Sequence, residues 1–372
     1  MKVCYWGTYD RAYPRNITVI AGLRKAGVDV VELHEPLWAS TRDKLARASA
    51  GWFAPGLLLR WLAIYARLGL RLLREKDVDC LLVGYSGHFD MFPAWLLGKL
   101  KGVPVIFDAF LSLYEAFVFD RPAIKKGSLK ARLLWLVDKY SCALADLVLL
   151  DTGDHIKYFC EEFGLRAEKF RRSFIGASED RFYPRPAPAE KGPYTVLHFG
   201  RYIPLHGLKY IVRAAKELEA DGVHFKFIGA GEELESTLAL AKELGLKNSE
   251  FTEFMPPDEL VNHIAAADVC LGIFGDTEKA RRVIPNKVFE AMAMRRPVVT
   301  GGSPAADELL TDGQDCLLCG MASAPALAAA VRRLKADPAL AEKIAAGGQE
   351  LFSKRASAAV LGAEIAELIR TV

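Results

Sequence analysis

Lys287 and Glu290 have the residue types and the spacing of a site for a sugar phosphate. Pro285, just before them, predicts the first turn of a helix, because its missing N–H would have no partner there. Lys287 would then lie where backbone N–H groups and the helix dipole favour an anion. Glu290 would lie one turn further along the same side, where its two oxygens can accept hydrogen bonds from neighbouring sugar hydroxyls. Together, the lysine and the glutamate match the phosphate and the ribose of a nucleotide. The alternative is a surface helix with an i,i+3 ion pair.

Short apolar runs alternate with helix-length segments along the 372 residues, of which 51% are hydrophobic. This rhythm predicts two α/β domains with parallel sheets covered by helices. The predicted strands are 2–7, 28–34, 80–85, 103–107, 146–151 and 172–177, then 195–200, 224–229, 250–255, 269–274, 297–300 and 315–319. A proline-rich passage at 183–188 separates the two sets. We expect domains over 1–184 and 185–354, and a final helical segment, 355–372, that packs back on the first domain.

Parallel sheets bind ligands at the carboxyl ends of their strands, where His88 and Asp108 lie in this prediction. Each residue is therefore a candidate to reach a cleft between the domains. The alternatives are structural, with His88 as a capping or hydrogen-bonded loop residue and Asp108 as the cap of the following turn. Asp77 and Asp79 resemble a D-x-D metal motif, but they lead directly into a strand. We interpret them as a solvated strand entrance and expect no metal site.

The cysteines and the N-terminus predict a cytoplasmic protein. Seven cysteines is an odd number, and several lie in apolar runs where a thiol behaves as a small hydrophobe. Cys316 and Cys319 form a lone C-x2-C without a second pair, so we predict strand residues rather than metal ligands. The N-terminus enters a strand-like run directly, without the basic segment, apolar region and cleavage site of a signal peptide.

The segment 51–74 departs from the general pattern because it is apolar except for four arginines. At about 100° per residue these arginines form one narrow stripe, at positions 60, 67, 71 and 74. A basic stripe on an apolar helix with tryptophans near its beginning is typical of a helix lying in a membrane interface. We therefore expect residues 52–74 to make peripheral contact with the inner face of a membrane. The alternative is a crossover helix buried by its own domain.

The charge distribution agrees with a membrane partner. Residues 1–186 hold 28 Lys+Arg against 21 Asp+Glu, which leaves 21 against 25 for the remainder of the chain. A basic half can face nucleic acid or an anionic membrane. No nucleic-acid-binding signature accompanies the basic half, so we expect no nucleic acid partner.

Four motifs in order resemble the GT-B-fold glycosyltransferases, specifically the retaining nucleotide-sugar enzymes of glycosyltransferase family 4. The motifs occupy residues 199–207, 227–231, 267–272 and 285–293, the last followed by 296–299. The resemblance implies two Rossmann-like, doubly wound domains facing a central cleft. It also implies that the second domain binds a nucleotide-sugar and the first binds the acceptor, a glycan or lipid-linked molecule of polysaccharide biosynthesis. No cofactor or metal is implied.

The resemblance implies roles for residues of the second domain. Arg201 matches the arginine directed at the donor diphosphate, and its permanently charged fork suits that task. His206 stands where the family often has a lysine, so its hydrogen bond to phosphate would be weaker and pH-dependent. Glu290 matches the glutamate that holds the ribose. Arg201 and Lys287 would supply positive charge as the nucleoside diphosphate departs.

Glycines and a loop threonine complete the implied donor site. Gly229 and Gly231 match the turn where the base and ribose approach the backbone, which glycine permits. Gly7 and Thr8 follow the first strand, where the family has a loop that meets the donor.

The sequence departs from the family at Arg282, which stands where the first glutamate of the E-x7-E pattern is expected. Glu278, four residues earlier, would serve only with a rearranged loop. One hypothesis is that Arg281 or Arg282 contacts an acidic sugar or the diphosphate. Alternatives for the whole chain are a nucleotide-sugar epimerase of the same fold and a two-lobed sugar-binding protein without catalysis. A dinucleotide oxidoreductase is disfavoured, because no G-x-G-x-x-G follows the first strand.

Overall fold

The computed structural model describes residues 1–37, 55–120, 123–186, 192–253 and 255–372. The chain divides into two compact units, one formed by Met1–Phe174 with Ala358–Val372 and the other by Ile175–Ser357. Each unit contains a six-stranded parallel sheet with flanking helices. This arrangement confirms the predicted fold of two Rossmann-like α/β domains.

The first sheet has the strand order β2-β1-β3-β4-β5-β6, with all neighbouring strands parallel. Its strands are β1 Lys2–Gly7, β2 Asp29–His34, β3 Cys80–Val83, β4 Val105–Phe110, β5 Leu147–Leu150 and β6 Phe170–Arg172. Strands β3, β4 and β5 are buried at every position. This explains why they are apolar apart from Asp108 in β4, since helices cover both faces of a parallel sheet.

The second sheet has the order β12-β11-β10-β7-β8-β9, and it is also parallel throughout. Its strands are β7 Tyr194–Phe199, β8 Val223–Ile228, β9 Ser249–Thr252, β10 Val269–Leu271, β11 Val298–Gly301 and β12 Leu317–Cys319. The strand order reverses between β7 and β10, so the loops after these strands leave the sheet in different directions.

Helices α1 to α6 belong to the first unit, α7 to α13 belong to the second, and α14 returns to the first unit. The helices are α1 Pro14–Lys25, α2 Pro55–Arg74, α3 Met91–Lys101, α4 Leu113–Glu115, α5 Leu129–Leu144, α6 Gly153–Phe163, α7 Leu208–Glu217, α8 Leu234–Glu243, α9 Pro257–Ala266, α10 Asn286–Ala293, α11 Pro304–Asp307, α12 Ala324–Ala336, α13 Pro338–Arg355 and α14 Ala358–Arg370. A π-helix spans Ala116–Asp120, and 3₁₀ turns span Ala167–Lys169, Pro204–His206 and Lys279–Arg281.

Helix α14 packs closely on α1 because glycines face each other across the contact. A Cβ on Gly22 would lie 2.2 Å from the carbonyl oxygen of Ala358, and a Cβ on Gly362 would lie 1.9 Å from the carbonyl carbon of Gly22. Ile365 and Ile369 join the apolar core beside β1. The last helix is therefore part of the interior of the first unit.

All twelve predicted strands have observed counterparts, and the largest displacement is at β6. The prediction was 172–177, whereas the strand is Phe170–Arg172. The carbonyl groups of Ser173 and Phe174 accept hydrogen bonds from Nη1 of buried Arg15, at 3.0 and 2.6 Å. The first unit also ends at Phe174, ahead of the proline-rich passage that we predicted as the boundary.

Candidate functional site

The reversal of strand order in the second sheet marks the expected ligand position, since open α/β sheets bind ligands at such switch points. Gly200 and Arg201 follow β7 directly, and the 3₁₀ turn Pro204–His206 comes next. Helix α10 lies beyond β10, and it packs on β10 and β11. Backbone from two neighbouring strands and one helix therefore meets at this edge of the sheet.

Lys287 lies at the centre of this edge. Pro285 is the N-cap of α10, one position before the predicted first turn, and the helix buries Val288, Phe289 and Met292. Lys287 is only 5% exposed, and its Nζ lies 3.3 Å from Nδ1 of His206. A lysine amine, a histidine ring and the end of β7 are thus brought together.

Gly200 leaves room for the amine. A Cβ built on this residue would lie 3.6 Å from Nζ of Lys287 and 3.7 Å from Cε1 of His206. Its φ of +117° lies in a region that other residues rarely adopt. The glycine therefore places open backbone beside two potential hydrogen-bond donors, the geometry that a phosphate group requires.

The charges of Lys287 and Glu290 are held in a poorly solvated environment. Burial lowers the pKa of Lys287 to about 7, and the Glu290 charge opposes this only in part. Burial raises the pKa of Glu290 to about 7, against the effects of Lys287 and Arg181. Within the described ranges, the Lys287 amine forms no ion pair of 4.0 Å or less. An anionic ligand would thus meet a cation that the protein has not already neutralised.

His198 is a member of this cluster that sequence reasoning missed. It lies on β7, fully buried, with its ring 5.6 Å from that of His206. Neither ring nitrogen has a hydrogen-bond partner in the described parts of the chain. Burial, followed by the charges of Lys287 and His206, lowers the pKa of His198 well below its usual value. The available signal was a histidine inside an otherwise apolar strand.

Arg201 lies beside the cluster on the exposed side. Its guanidinium is 3.3 Å from Oε1 of Glu232, and both side chains are 45% exposed. An exposed ion pair of this kind contributes little to stability, so it can be exchanged for a diphosphate at low cost.

Gly229 and Gly231 have packing reasons to be glycine. A Cβ on Gly229 would lie 1.8 Å from the carbonyl oxygen of Gly200, and one on Gly231 would lie 2.4 Å from the carbonyl oxygen of Tyr202. The loop after β8 thus rests directly on the loop after β7. These glycines allow the two loops to pack together, and their predicted contact with a ribose and base stays a prediction.

Arg282 lies at the end of the 3₁₀ turn Lys279–Arg281, 3.6 Å from the carboxylate of Glu278. The glutamate is 76% exposed, whereas the arginine is 19% exposed. The two residues that we considered for the missing first glutamate therefore face each other. A role for Arg282 toward a donor stays a prediction.

The first unit has its own switch point, between β1 and β3, where β1 ends at Gly7 and Thr8 follows it. Asp90 holds this loop, because Oδ2 accepts the Thr8 N–H at 2.7 Å and Oδ1 accepts the Thr8 hydroxyl at 3.0 Å. The hydroxyl of Tyr65 donates to Oδ1 at 2.8 Å. A Cβ on Gly7 would lie 2.4 Å from Asp90 Oδ2. Asp90, which sequence reasoning did not select, is thus the organising residue of the loop.

Asp108 and His88, the two residues that we predicted to reach a cleft, are both fully buried. Asp108 is fully buried, and both of its oxygens accept hydrogen bonds from Nε of Arg15, at 3.1 and 2.9 Å. His88 is also fully buried, and its Nε2–H donates to the carbonyl of Leu111 at 2.9 Å. These contacts agree with structural roles, since both side chains already serve the interior of the first unit.

A second buried charge cluster lies beyond β5. Nδ1 of His155 is 2.7 Å from Asp151, and Nε2 is 3.7 Å from Glu115. Burial lowers the pKa of His155, but the two carboxylates outweigh this effect and raise it to about 9. The imidazolium is therefore a paired interior charge.

The remaining motif predictions concern Asp79 and the lone cysteine pair. Asp79 accepts the backbone N–H of Lys2 at 2.6 Å, which agrees with a strand entrance. Cys316 and Cys319 are free thiols, and Cys319 is the last residue of β12. Burial raises the pKa of Cys319 to about 12, so its thiol is protonated near neutral pH.

Comparison with known proteins agrees with this geometry. Residues 193–337, which contain the switch point of the second sheet, match the family described as glycosyl transferases group 1. This match covers less than half of the chain and lies within the second unit. It agrees with the predicted glycosyltransferase class.

Several relatives carry the names of sugar-transferring enzymes. The lipopolysaccharide core biosynthesis glycosyltransferase LpsD of Rhizobium meliloti (strain 1021) is 28% identical over 165 residues, 44% of this chain and 46% of the relative. The alpha-D-kanosaminyltransferase of Streptomyces kanamyceticus is 24% identical over 77% of this chain and 75% of the relative. The putative colanic acid biosynthesis glycosyltransferase WcaL of Escherichia coli (strain K12) is 30% identical over 38% of this chain and 36% of the relative. The chain thus spans about half or less of LpsD and WcaL.

Solved structures share the fold over the full chain. Anabaena HepE in complex with UDP and glucose aligns with a TM-score of 0.71 and 16% identity, covering 100% of both chains. The sucrose-phosphate synthase of Thermosynechococcus elongatus aligns with a TM-score of 0.75 and 17% identity, covering 100% of this chain and 98% of the other. At this identity the likeness shows the fold alone.

Proposed function

We propose that this protein transfers a sugar from a nucleotide-sugar to a glycan or lipid-linked acceptor of the cell envelope, with retention of anomeric configuration. The observation that carries the proposal is the meeting of Lys287, His206 and Gly200 at the switch point of the second sheet. This cluster lies inside the segment that matches the group 1 glycosyltransferases.

In this proposal Lys287 binds the donor diphosphate, and Glu290 binds the ribose hydroxyls. The two residues lie three positions apart on α10, so one rigid helix orients both parts of the nucleotide. Arg201 would exchange Glu232 for the diphosphate and add a bidentate donor. As the bond to the sugar breaks, negative charge grows on the departing phosphate, and these cations stabilise it. The reaction proceeds without metal or cofactor.

The acceptor class rests on the relatives and on the charge of the chain. LpsD and WcaL carry names from lipopolysaccharide core and colanic acid biosynthesis. The basic first half of the chain would attract an acidic glycan or a lipid-linked acceptor at a cytoplasmic membrane face. In the first unit, the loop of Gly7 and Thr8 lies at the switch point beside β1 and keeps its predicted role toward the donor.

The first experiment is calorimetry of the purified protein with UDP, GDP and ADP, beside Lys287→Met and the control Lys354→Met. Lys354 pairs with Glu350 on an exposed surface, so its loss leaves the site intact. We expect one nucleotide to bind the wild type and the control, and to lose about 100-fold in affinity for Lys287→Met.

The matching nucleotide-sugar is then incubated with lipid-linked and polysaccharide acceptors, and the products are identified by mass spectrometry and NMR. A glycosylated acceptor with the donor's anomeric configuration supports the proposal. A free epimerised sugar would indicate the epimerase instead. Failure of every nucleotide-sugar to bind would favour a binding protein for unactivated sugars. Activity that requires added Mg²⁺ would contradict the metal-independent reaction.

A further inference from the structure

Helix α2 presents an apolar stripe to solvent on the side opposite the core. Ile64, Leu68 and Leu72 are buried, whereas the exposed stripe consists of Leu59, Leu62, Leu70 and Leu73, with exposures of 69%, 58%, 55% and 49%. At about 100° per residue, the two sets are centred roughly 160° apart around the helix. An exposed leucine is ordinary by itself, but a continuous row of them indicates an interaction surface.

The neighbouring helix α3 extends this surface. Its exposed large side chains are Phe92, Trp95, Leu96 and Leu100, with exposures of 39%, 36%, 54% and 67%. The two helices touch where Gly69 meets Leu97, since a Cβ on this glycine would lie 3.5 Å from the leucine Cδ2. This contact borders both exposed rows. We call the combined eight side chains the α2–α3 surface.

The charges of the two helices are all of one sign. Neither α2 nor α3 contains aspartate or glutamate, whereas α2 carries four arginines and α3 carries Lys99 and Lys101. The arginines at positions 60, 67, 71 and 74 are exposed along one edge of the leucine row, as the sequence predicted. Glu35 offsets two of them, because it lies 3.5 Å from Arg67 and from Arg71.

Of the tryptophans in the segment 51–74, only Trp61 lies within the described residues. Trp61 packs toward the interior, with its ring 5.2 Å from that of Phe89, and Trp52 lies outside the described residues. The exposed tryptophan is Trp95, on α3, which joins Phe92 on the same helix. Sequence analysis of 52–74 alone could not identify it, because the second helix joins the surface only in the folded chain.

We propose that the α2–α3 surface binds peripherally to a bilayer with anionic headgroups. The leucine and aromatic side chains would enter the boundary between headgroups and acyl chains, while the arginine edge would contact the phosphates. A protein partner is less well matched, because apolar rows with an arginine border, in which Glu35 is the carboxylate described, offer few polar groups for a specific interface. Among the described helices, none is long and apolar enough to cross a membrane. The α2–α3 surface belongs to the first unit, whereas the proposed donor site belongs to the second.

The test is co-sedimentation with vesicles of phosphatidylcholine and phosphatidylglycerol at 3:1, compared with phosphatidylcholine alone, at low and high salt. The test variant is Leu96→Glu/Leu100→Glu, in which both positions are well exposed and the core is untouched. The matched control is Leu238→Glu, a 39% exposed leucine on α8 of the second unit. Circular dichroism and thermal unfolding check that both variants fold.

We expect wild type and control to bind the anionic vesicles at low salt, with partition reduced about tenfold or more in the double variant. High salt should weaken binding of the wild type, because the arginine contacts are screened. Absence of wild-type binding to anionic vesicles at low salt would overturn the proposal, as would equal binding by the double variant. A change from dimer to monomer in the double variant, without vesicle binding by the wild type, would assign the surface to a protein contact instead.

Discussion

The two units bury charged side chains in opposite ways. In the first unit Arg15 is fully buried with Asp108, and the guanidinium also donates to two backbone carbonyls. In the second unit Lys287 is nearly as buried, but its described neighbours are a histidine ring and glycine backbone. A buried charge with complete partners holds a structure together. Lys287 is influenced by the Glu290 charge but forms no ion pair of 4.0 Å or less among the described residues, so it favours binding of an anionic ligand.

The largest expected effect is on stability, at the buried Arg15–Asp108 pair of the first unit. Replacing Asp108 by Asn leaves the Arg15 charge buried without its counterion, so we expect a loss of about 3–5 kcal/mol in the free energy of unfolding. Urea denaturation followed by circular dichroism measures it. The double variant Arg15→Met/Asp108→Leu should recover much of the loss, because no charge is then left unpaired. A stable Asp108→Asn protein with abolished turnover would instead restore the catalytic prediction for this residue.

The opposite result is expected for the unpaired charge. Lys287→Met should lower turnover of the nucleotide-sugar about 100- to 1000-fold, because positive charge is lost at the departing diphosphate. The same variant should unfold at equal or higher urea concentration, with a gain of about 1–4 kcal/mol, because a buried charge is replaced by an apolar chain. Steady-state kinetics and urea denaturation, beside Lys354→Met, separate the two effects. Loss of stability without loss of donor binding would remove the distinction between the units.

The stability of the ligand-free protein should depend on pH through Lys287 and Glu290. The pKa of Lys287 is lowered to about 7, so the unfolded chain binds more protons between about 7 and 10.5, and this residue's contribution to stability rises with pH there. The pKa of Glu290 is raised to about 7, so the folded protein binds more protons between about 4.5 and 7, and its contribution falls as pH rises through that range. The ligand-free protein should therefore gain most from the Lys287→Met/Glu290→Gln double substitution near pH 7.

Donor affinity should show the reverse dependence, with a maximum near pH 7. The diphosphate favours protonated Lys287, and the ribose diol favours ionised Glu290. Calorimetry from pH 5.5 to 9 in the wild type and in Glu290→Gln checks this. The Gln variant should lose the decline on the acidic side and keep the decline on the alkaline side. An affinity independent of pH would show that the pair does not contact the nucleotide.

The smallest effect is expected at the loop of the first unit. Thr8→Val removes the hydroxyl contact to Asp90 and keeps the backbone N–H contact, so we expect a loss of about 0.5–1.5 kcal/mol in stability. Thermal unfolding measures this loss, and the KM for the nucleotide-sugar reports on the loop. A Thr8→Ser control should behave as the wild type, since the hydroxyl is retained. A larger loss in Thr8→Ser than in Thr8→Val would show that the methyl group holds the loop.

Local features of the chain were sufficient to predict the secondary structure and the placement of Lys287 and Glu290 on one helix. Strand-length apolar runs and helix-length segments report their own geometry, because the period of a helix or a strand is a property of adjacent residues. The two parallel sheets follow from the regular alternation of these runs. The arginine stripe of α2 could be predicted for the same reason, as it lies within one helix.

Only the tertiary structure decided which polar side chains meet. His206 reaches Lys287 across 81 positions of the chain, and Arg15 reaches Asp108 across 93. The sequence alone does not distinguish Asp108 from Lys287. Each is a charged residue near the end of a strand or the start of a helix. Both side chains are buried in the folded protein. The Asp108 carboxylate pairs with the Arg15 guanidinium, whereas the Lys287 amine lies beside the His206 ring and the backbone of Gly200. The reason is that periodicity records which face of an element is apolar, whereas the partner of a buried charge depends on segments that come together only in the packed domain.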